Sequence, residues 1–401
     1  MIEICPKQDC TACSACLNAC AKGAICMLPD EIGCLYPEID SKLCVDCGAC
    51  EKACPNLNPP VYNYPEKAYV GCASDYQEQL TSTSGGIASV LSGAIINRGG
   101  VVYGSTSADP FDIHHIRVDK ISEVSLLKGS KYVQSKIDNV YSLVKKDLIA
   151  KHDVMFIGTP CQVAGLKAFL HKDYPNLYTI DFVCHGVPPQ HLFNDFLTKL
   201  LKGKKKLGIT VDFRFRDNKG RTKYGLQIRD KDGNQIFHEV FPNNDYILGF
   251  LKGLYYRDNC YTCKYARPER TSDISLGDYR DANKQYMDMF HRSAGLSKIL
   301  ANTSKGIKLL DQLHEYLLLR PVFVEDVIKE GGQLVAPMDR HPHYNLFKTL
   351  YKEKGLDDVI SEVILPIKRK TKRSMVIGKV IKIIYRIPFS RTFFNFIRNR
   401  K

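Results

Sequence analysis

Two cysteine runs of identical spacing, Cys10-x-x-Cys13-x-x-Cys16-x-x-x-Cys20 and Cys44-x-x-Cys47-x-x-Cys50-x-x-x-Cys54 followed by Pro55, constrain the first sixty residues more tightly than any other feature of the chain. A two-residue gap lets one turn present successive sulfurs to neighbouring corners of an iron-sulfide cube, and soft thiolates are the ligands that iron-sulfide selects. In a duplicated run of this kind, three closely spaced thiolates hold one cube and the fourth crosses to the other. Cys10, Cys13, Cys16 and Cys54 are therefore assigned to a first 4Fe-4S cluster, and Cys44, Cys47, Cys50 and Cys20 to a second.

Other uses of cysteine fit less well. Met1-Ile2-Glu3-Ile4 has neither a basic n-region nor an apolar h-region, so a disulfide-stapled secreted module is disfavoured and a cytoplasmic setting expected. Zinc sites use pairs of C-x-x-C rather than triplets with a trailing fourth cysteine. Residues 1-60 thus read as an α+β, ferredoxin-like two-cluster module. Cys5, Cys26 and Cys34 fall outside the pattern and read as small buried thiols.

At 401 residues the chain is too long for that module alone. Pro55 to Pro65 is rich in proline and asparagine and reads as a linker, with a boundary near residue 62. The net charge of +14 is concentrated at one end: residues 363-401 carry twelve Lys or Arg and no Asp or Glu, leaving a nearly neutral body. A nucleic-acid partner is therefore not expected.

From residue 68 onward, short apolar runs alternate with helical stretches, the pattern of an α/β domain with a mixed sheet. Strands are expected at 68-71, 101-104, 153-158 and 177-183, and helices at 86-97, 162-171 and 190-201. Alternation at 210-215 and 226-228, with Asp232-Gly233 as a turn, suggests an antiparallel extension of the sheet.

Cys161 and Cys184 each follow a predicted strand, and carboxyl ends of strands border the ligand crevice of open α/β sheets. With Cys260 and Cys263 they would complete a third four-thiolate cluster; the alternative is two structural cysteines and a separate dithiol. Cys72, on a strand, reads as core. Ser84-Gly85-Gly86 opens a helix, where free N-H groups and the helix dipole suit a phosphate, although an ordinary cap explains it too. Lys128-Gly129-Ser130-Lys131 adds cations and small donors.

Taken in order, Ser82-Thr83-Ser84-Gly85-Gly86, Lys128 to Ser135, Gly158-Thr159-Pro160-Cys161-Gln162, Cys184-His185-Gly186-Val187 and Asp273 to Asp278 resemble the family of coenzyme F420 hydrogenase/dehydrogenase beta subunits over residues 65-340. The resemblance implies FAD beside a 4Fe-4S cluster, and electron transfer between a deazaflavin hydride carrier and iron-sulfur centres. It implies cluster ligation by Cys161, Cys184, Cys260 and Cys263, and flavin contacts from Ser84, Gly85, Gly86, Lys128, Gly129, Ser130, Lys131, Gln134, Thr159 and Pro160. Relatives of this family also occur in polysaccharide gene neighbourhoods. Many continue past Gly277-Asp278 with an aromatic pair and glycine, where this chain has Tyr279-Arg280-Asp281, a departure on the substrate side.

Hydride carriers move two electrons and each cube accepts one, so a flavin must stand between them. The expected function is an iron-sulfur flavoprotein oxidoreductase with a redox partner, either a separate protein or a subunit; the alternative is an electron-transfer adaptor or redox-sensing partner of a glycan-synthesis enzyme. Residues 341-401 read as a basic, amphipathic helical tail. Within it, residues 363-401 suit peripheral contact with an anionic membrane on its inner face. In the reconstituted full-length chain, Cys47→Ser is expected to remove about four irons, one cube. Zinc in place of iron and sulfide after anaerobic reconstitution would exclude the assignment.

Overall fold

The computed structural model describes residues 3-203, 208-217, 222-279 and 295-384. In the N-terminal module, strands β1 (Ile25–Pro29) and β2 (Leu35–Ile39) form an antiparallel hairpin, and helices Ala15–Ala19 and Ala49–Lys52 follow the two cysteine loops. The second domain supplies β3 (Lys67–Ala73), β4 (Val101–Thr106), β5 (His114–Val118), β6 (Val154–Ile157) and β7 (Leu177–Phe182). They are followed by β8 (Thr210–Arg216), β9 (Thr222–Arg229), β10 (Gln235–Val240), β11 (Ile274–Tyr279), β12 (Leu296–Ala301) and β13 (Leu317–Val322).

Among the described residues, eight strands form the main sheet in the order β13-β3-β12-β11-β7-β6-β4-β5. β4, β6, β7 and β11 are parallel neighbours, and the remaining pairings are antiparallel. β6 reads as a continuous apolar run because both of its faces are covered: Val154, Met155 and Phe156 are all fully buried. β8, β9 and β10 do not extend this sheet as expected; they form a separate three-stranded antiparallel sheet. Val211, Phe213, Leu226 and Ile228 bury one face of it against Phe193 and Tyr246, which alternation alone could not specify.

Asp273 joins β11 to the start of β7. Its carboxylate accepts from Thr179 N at 2.8 Å, Thr179 Oγ1 at 2.7 Å and Thr303 Oγ1 at 2.8 Å. Arg270 and Asp181, both fully buried, lie 2.9 Å apart beside it. The Asp273 end of the sequence motif is thus a structural pin.

The module does not hang from a free linker. Ala15 and Ala53 share a core with Tyr141, Val163 and Leu166, and Ile32 and Cys34 from the hairpin share another with Tyr246 and Tyr344. The linker itself is tied down: Asn63 bridges to Arg270, and Tyr62 stacks on Tyr265 at 6.3 Å. Cys72 is fully buried as expected, whereas Cys26 is exposed.

The tail starts later than its composition suggests. Val363, Ile364 and Ile367 are buried in the main core, and Lys368 pairs with Asp245, so the helix Leu365–Ile384 leaves the body only beyond Thr371. Met375, Val376, Ile377 and Val380 are exposed on its distal part. Residues 385-401 of the expected membrane-contacting segment lie outside the described residues. Ile364→Ala is expected to lower stability by about 2–5 kcal/mol in chemical denaturation, the cost of a core cavity. Val380→Ala should change it by less than about 0.5 kcal/mol.

Candidate iron-sulfur and flavin site

The two cysteine loops adopt one conformation twice. Ala12 (φ 50°) and Ser14 (φ 62°) match Asp46 (φ 50°) and Gly48 (φ 68°), at equivalent positions of the two runs. Left-handed backbone at an alanine costs free energy and persists only where surrounding structure demands it. Here it turns backbone N-H groups toward sulfur: Asp46 N lies 3.5 Å from Cys44 Sγ, and Ala12 N donates likewise to Cys10. In addition Ala24 N donates to Cys20 Sγ at 3.3 Å.

Cys10, Cys13, Cys16 and Cys54 line one cavity, so the fourth thiol of the second run reaches the first triplet. Cys20 correspondingly stands near Cys50. Cys5 also lines the first cavity, against Cys10 and Cys54, a fifth thiol that the spacing pattern does not reveal. Hydrogen bonding from Cys5 holds the Cys10 and Cys54 thiols below the ordinary thiol range, while its own is pushed up by the same contacts. Burial raises the Cys13 thiol to about 12.

The other four cysteines converge from three segments. Because β6 and β7 are parallel and adjacent, Cys161 and Cys184 emerge side by side from their carboxyl ends. Cys260 and Cys263 arrive on the 3-10 turn Asp258–Thr262 and its exit. The four thiols interact electrostatically with one another. Cys161 and Cys184 are partly accessible by surface area yet densely surrounded by protein, and this desolvation raises both thiols to about 12. Groups so costly to ionise alone are ones that a cationic cluster deprotonates on binding. Among the described residues, no three His, Cys, Asp or Glu side chains converge on a point suited to a single metal ion. Thiolates around a cube each meet a different iron and need not converge, so both donor sets fit iron-sulfide.

The two sets touch through Gly165. A Cβ added there would lie 2.7 Å from Cys13 Cβ and 2.8 Å from Cys13 Sγ, so the first loop sits directly on the helix Pro160–Leu170. Cys161 lies one helical turn before Gly165 on the same face. The helix start is fixed by a Thr159–Gln162 capping box with Pro160 in the first turn, and Thr159 Oγ1 lies 3.1 Å from Cys161 Sγ. Thr159 thus serves the Cys161 sulfur, and Pro160 the helix start.

The remaining flavin-assigned residues divide between two places. Ser84 Oγ bonds Leu296 O and Ser297 Oγ, Gly85 N donates to Ser297 Oγ at 3.0 Å, and Gly86 (φ 80°) caps the helix Ile87–Asn97. A Cβ at Gly85 would lie 2.6 Å from Gly71 O, so its missing side chain serves packing against β3. Lys128 pairs with Glu78 at 2.8 Å near this loop, and Gly129 (φ 85°) turns the chain beside it. Lys131 gives its ammonium to Ser105 O, Leu127 O and Lys128 O, while burial pulls it down to about 7. Ser130 borders Tyr132. Gln134 faces the module instead, donating to Thr11 O at 3.1 Å.

Two residues missing from the sequence assignment meet the Ser82–Gly86 loop. Arg214 Nη2 donates to Thr83 O at 3.0 Å and Nη1 pairs with Asp278 at 2.9 Å, while Arg216 Nη2 donates to Gln79 O and Ser82 O. Their one visible signal was alternation: Arg214 and Arg216 share a strand face opposite Phe213 and Phe215.

These features define an iron-sulfur protein with an α/β domain. Residues 151–322 match the family model for the C terminus of the coenzyme F420 hydrogenase/dehydrogenase beta subunit, and residues 37–57 match a 4Fe-4S binding domain. The chain thus carries a segment similar to the C terminus of these beta subunits, behind a segment that matches a 4Fe-4S binding domain. The matched segments contain Cys44, Cys47, Cys50 and Cys54 in one case and Cys161, Cys184, Cys260 and Cys263 in the other.

The F subunit of the F(420)H(2) dehydrogenase of Methanosarcina mazei is 23% identical over 177 residues, 41% of this chain and 49% of the relative, so the match spans about half the relative's length. A solved chain of the F420-reducing [NiFe] hydrogenase complex from Methanosarcina barkeri aligns over 78% of this chain and 92% of its own length, with TM-score 0.46 and 17% identity.

Gly165→Val is expected to overpack the Cys13 contact, costing about 1–3 kcal/mol in thermal or chemical unfolding and lowering iron content. Gly93, whose added Cβ would meet only Ile121 at 3.9 Å, is the control. Gly93→Ala should leave iron unchanged and stabilise by about 0.4–1 kcal/mol.

Proposed function

We propose that this protein is an iron-sulfur flavoprotein oxidoreductase that passes electrons between a deazaflavin-type hydride carrier and three 4Fe-4S clusters through FAD. The observation that carries the proposal is Cys13 seated at Gly165, one turn from Cys161, which makes the two cysteine sets neighbours across a dry contact. When bound, the flavin supplies two-electron exchange with the carrier and single-electron exchange with the clusters.

The chain's residues would position and shield these groups. Cys161, Cys184, Cys260 and Cys263 would hold one cube inside the second domain, with the Thr159 hydroxyl on the Cys161 sulfur. Cys10, Cys13, Cys16 and Cys54 would hold the next, closed from water by Tyr141 and Ala15. Cys44, Cys47, Cys50 and Cys20 would hold the outermost. Cys47, Leu43 and Val45 are exposed there, open to the approach of a redox partner, whether a separate protein or a subunit. For FAD, the helix start at Gly86 offers backbone donors suited to a pyrophosphate, and Arg214 and Arg216, which bond Thr83 O, Gln79 O and Ser82 O, place positive charge beside the same loop.

One observation favours the adaptor reading, in which the clusters serve an external enzyme such as one of glycan synthesis. The Lys131 ammonium and the Gly85 N-H, both assigned to flavin, are already bonded within the protein. Flavin content separates the readings. Anaerobically reconstituted protein should hold about one FAD and about twelve irons, three cubes, per chain. Arg214→Leu should lower flavin occupancy while leaving iron in place. Reduced coenzyme F420 should then reduce a viologen dye through the intact protein, with NADH and reduced ferredoxin tested beside it. Failure of all three donors in replete protein would favour the adaptor, and absence of flavin would remove the enzyme reading.

Among the described residues no helix is long and apolar enough to cross a membrane. Peripheral attachment of the tail is proposed from its cations beside exposed Met375, Val376, Ile377 and Val380. Removing residues 374-401 should abolish binding to anionic liposomes and leave cofactors intact. Binding of the full chain should weaken with salt, since exposed charges are screened. Equal liposome recovery of both proteins would exclude the attachment.

A further inference from the structure

Arg257 and Arg270 are fully buried guanidinium groups with different surroundings. Arg270 has the Asp181 carboxylate at 2.9 Å. The acceptors around Arg257 are all neutral: Leu35 O at 2.9 Å, Cys10 O at 3.0 Å, Gln134 Oε1 at 3.3 Å and Asn259 Oδ1 at 3.3 Å. The face of the group lies 4.6 Å over the Tyr36 ring. A charge taken out of water is costly unless opposite charge stands near it.

The ionisable groups closest to the Arg257 charge include Cys34, Tyr36, Cys10 and Cys260, and the Cys260 N-H donates to Arg257 O at 3.0 Å. Cys10 belongs to the first N-terminal set, and Cys260 to the set in the second domain. Arg257 thus stands between two thiolate-rich centres and bonds the module at two points, the Cys10 loop and the hairpin strand β2. Cys20, Cys44, Cys47 and Cys50 are not among its partners.

We propose that Arg257 is a positioning residue and the shared counter-cation of two clusters, the one held by Cys10, Cys13, Cys16 and Cys54 and the one held by Cys161, Cys184, Cys260 and Cys263. The inference rests on the cluster assignment made above. Each cluster gains one negative charge when it takes an electron from a reductant, and a fixed cation beside both favours the reduced form of both. Net charge and hydrogen bonding around the sulfurs are the levers that set such potentials. Gln134 completes the arrangement: its amide oxygen accepts from Arg257 while its nitrogen donates to Thr11 O, inside the first cysteine loop.

The test is an EPR-monitored redox titration of the full-length reconstituted protein with mediator dyes, with iron counted for every sample. Arg257→Met should make two of the three clusters harder to reduce by at least tenfold in the one-electron equilibrium, about 59 mV. The third should stay at its wild-type potential. Arg257→Lys, which keeps the charge, should shift neither by more than about threefold, about 28 mV on the same scale. Should Arg257→Met fail to fold, Gln134→Glu decides, because it keeps the side-chain shape and places a carboxylate against the guanidinium. It should lower the same two potentials.

Unchanged potentials in iron-replete Arg257→Met or Gln134→Glu protein would overturn the inference, as would an equal shift of all three clusters. Wild-type protein with about eight irons, two cubes, would instead show that the cluster in the second domain is absent, and the inference would fall with that assignment.

Discussion

The missing side chain at Gly165 is the constraint on which the arrangement of cysteines depends. A methyl group there would occupy the space of Cys13 Cβ and Sγ, so any other residue pushes the first cysteine loop off the helix that carries Cys161 in its first turn. Contact at that point brings Ala15 and Ala53 into the same core as Val163, Leu166 and Tyr141. The module and the second domain are consequently parts of one packed body. That packing fixes the separation between the two cysteine sets, which a flexible linker would not do.

Polar contacts then set orientation where apolar packing sets distance. Asn18 donates to Asp138 O at 2.7 Å and accepts from Ser142, which fixes the short helix Ala15–Ala19 along the second domain. Arg257 and Gln134 do the same at the other side of the loop, through Cys10 O and Thr11 O. Such buried contacts lose more when one partner is removed than they gain when formed, because the orphaned group has no water to turn to. The docked geometry is therefore specific as well as close.

Much of this was legible in the sequence, for identifiable reasons. The strands at Val101–Thr106, Val154–Ile157 and Leu177–Phe182 were visible because each holds bulky apolar residues between helical stretches, unbroken in Val154–Ile157, and the expected helices at 86-97, 162-171 and 190-201 lie within two residues of those observed. β5, β12 and β13 gave no such signal: His114–Val118 is mostly polar, and Leu296–Ala301 follows a stretch whose pattern does not mark a strand start. Gln134 and Thr159, both assigned to flavin with their motif neighbours, instead meet Thr11 O and Cys161 Sγ, because a bend at Val133 and the capping box at Thr159 decide direction locally. Arg214 and Arg216 were hidden by the opposite problem. They lie more than a hundred residues from the loop they touch, and only the packing of β8 against that loop brings them there.

The duplicated run shows how spacing can override propensity. At the two left-handed positions the first loop has alanine and serine, while the second has aspartate and glycine. Glycine adopts that conformation freely and aspartate tolerates it, but alanine has neither a missing Cβ nor a side chain that could bond the backbone. Local preference therefore cannot explain why Ala12 and Asp46 share a φ of 50°. What the loops have in common is the cysteine spacing and a backbone N-H turned toward the first sulfur of each run, from Ala12 to Cys10 and from Asp46 to Cys44. The conformation goes with that spacing rather than with the residue at the left-handed position, and the packing around Ala12 holds the strain there.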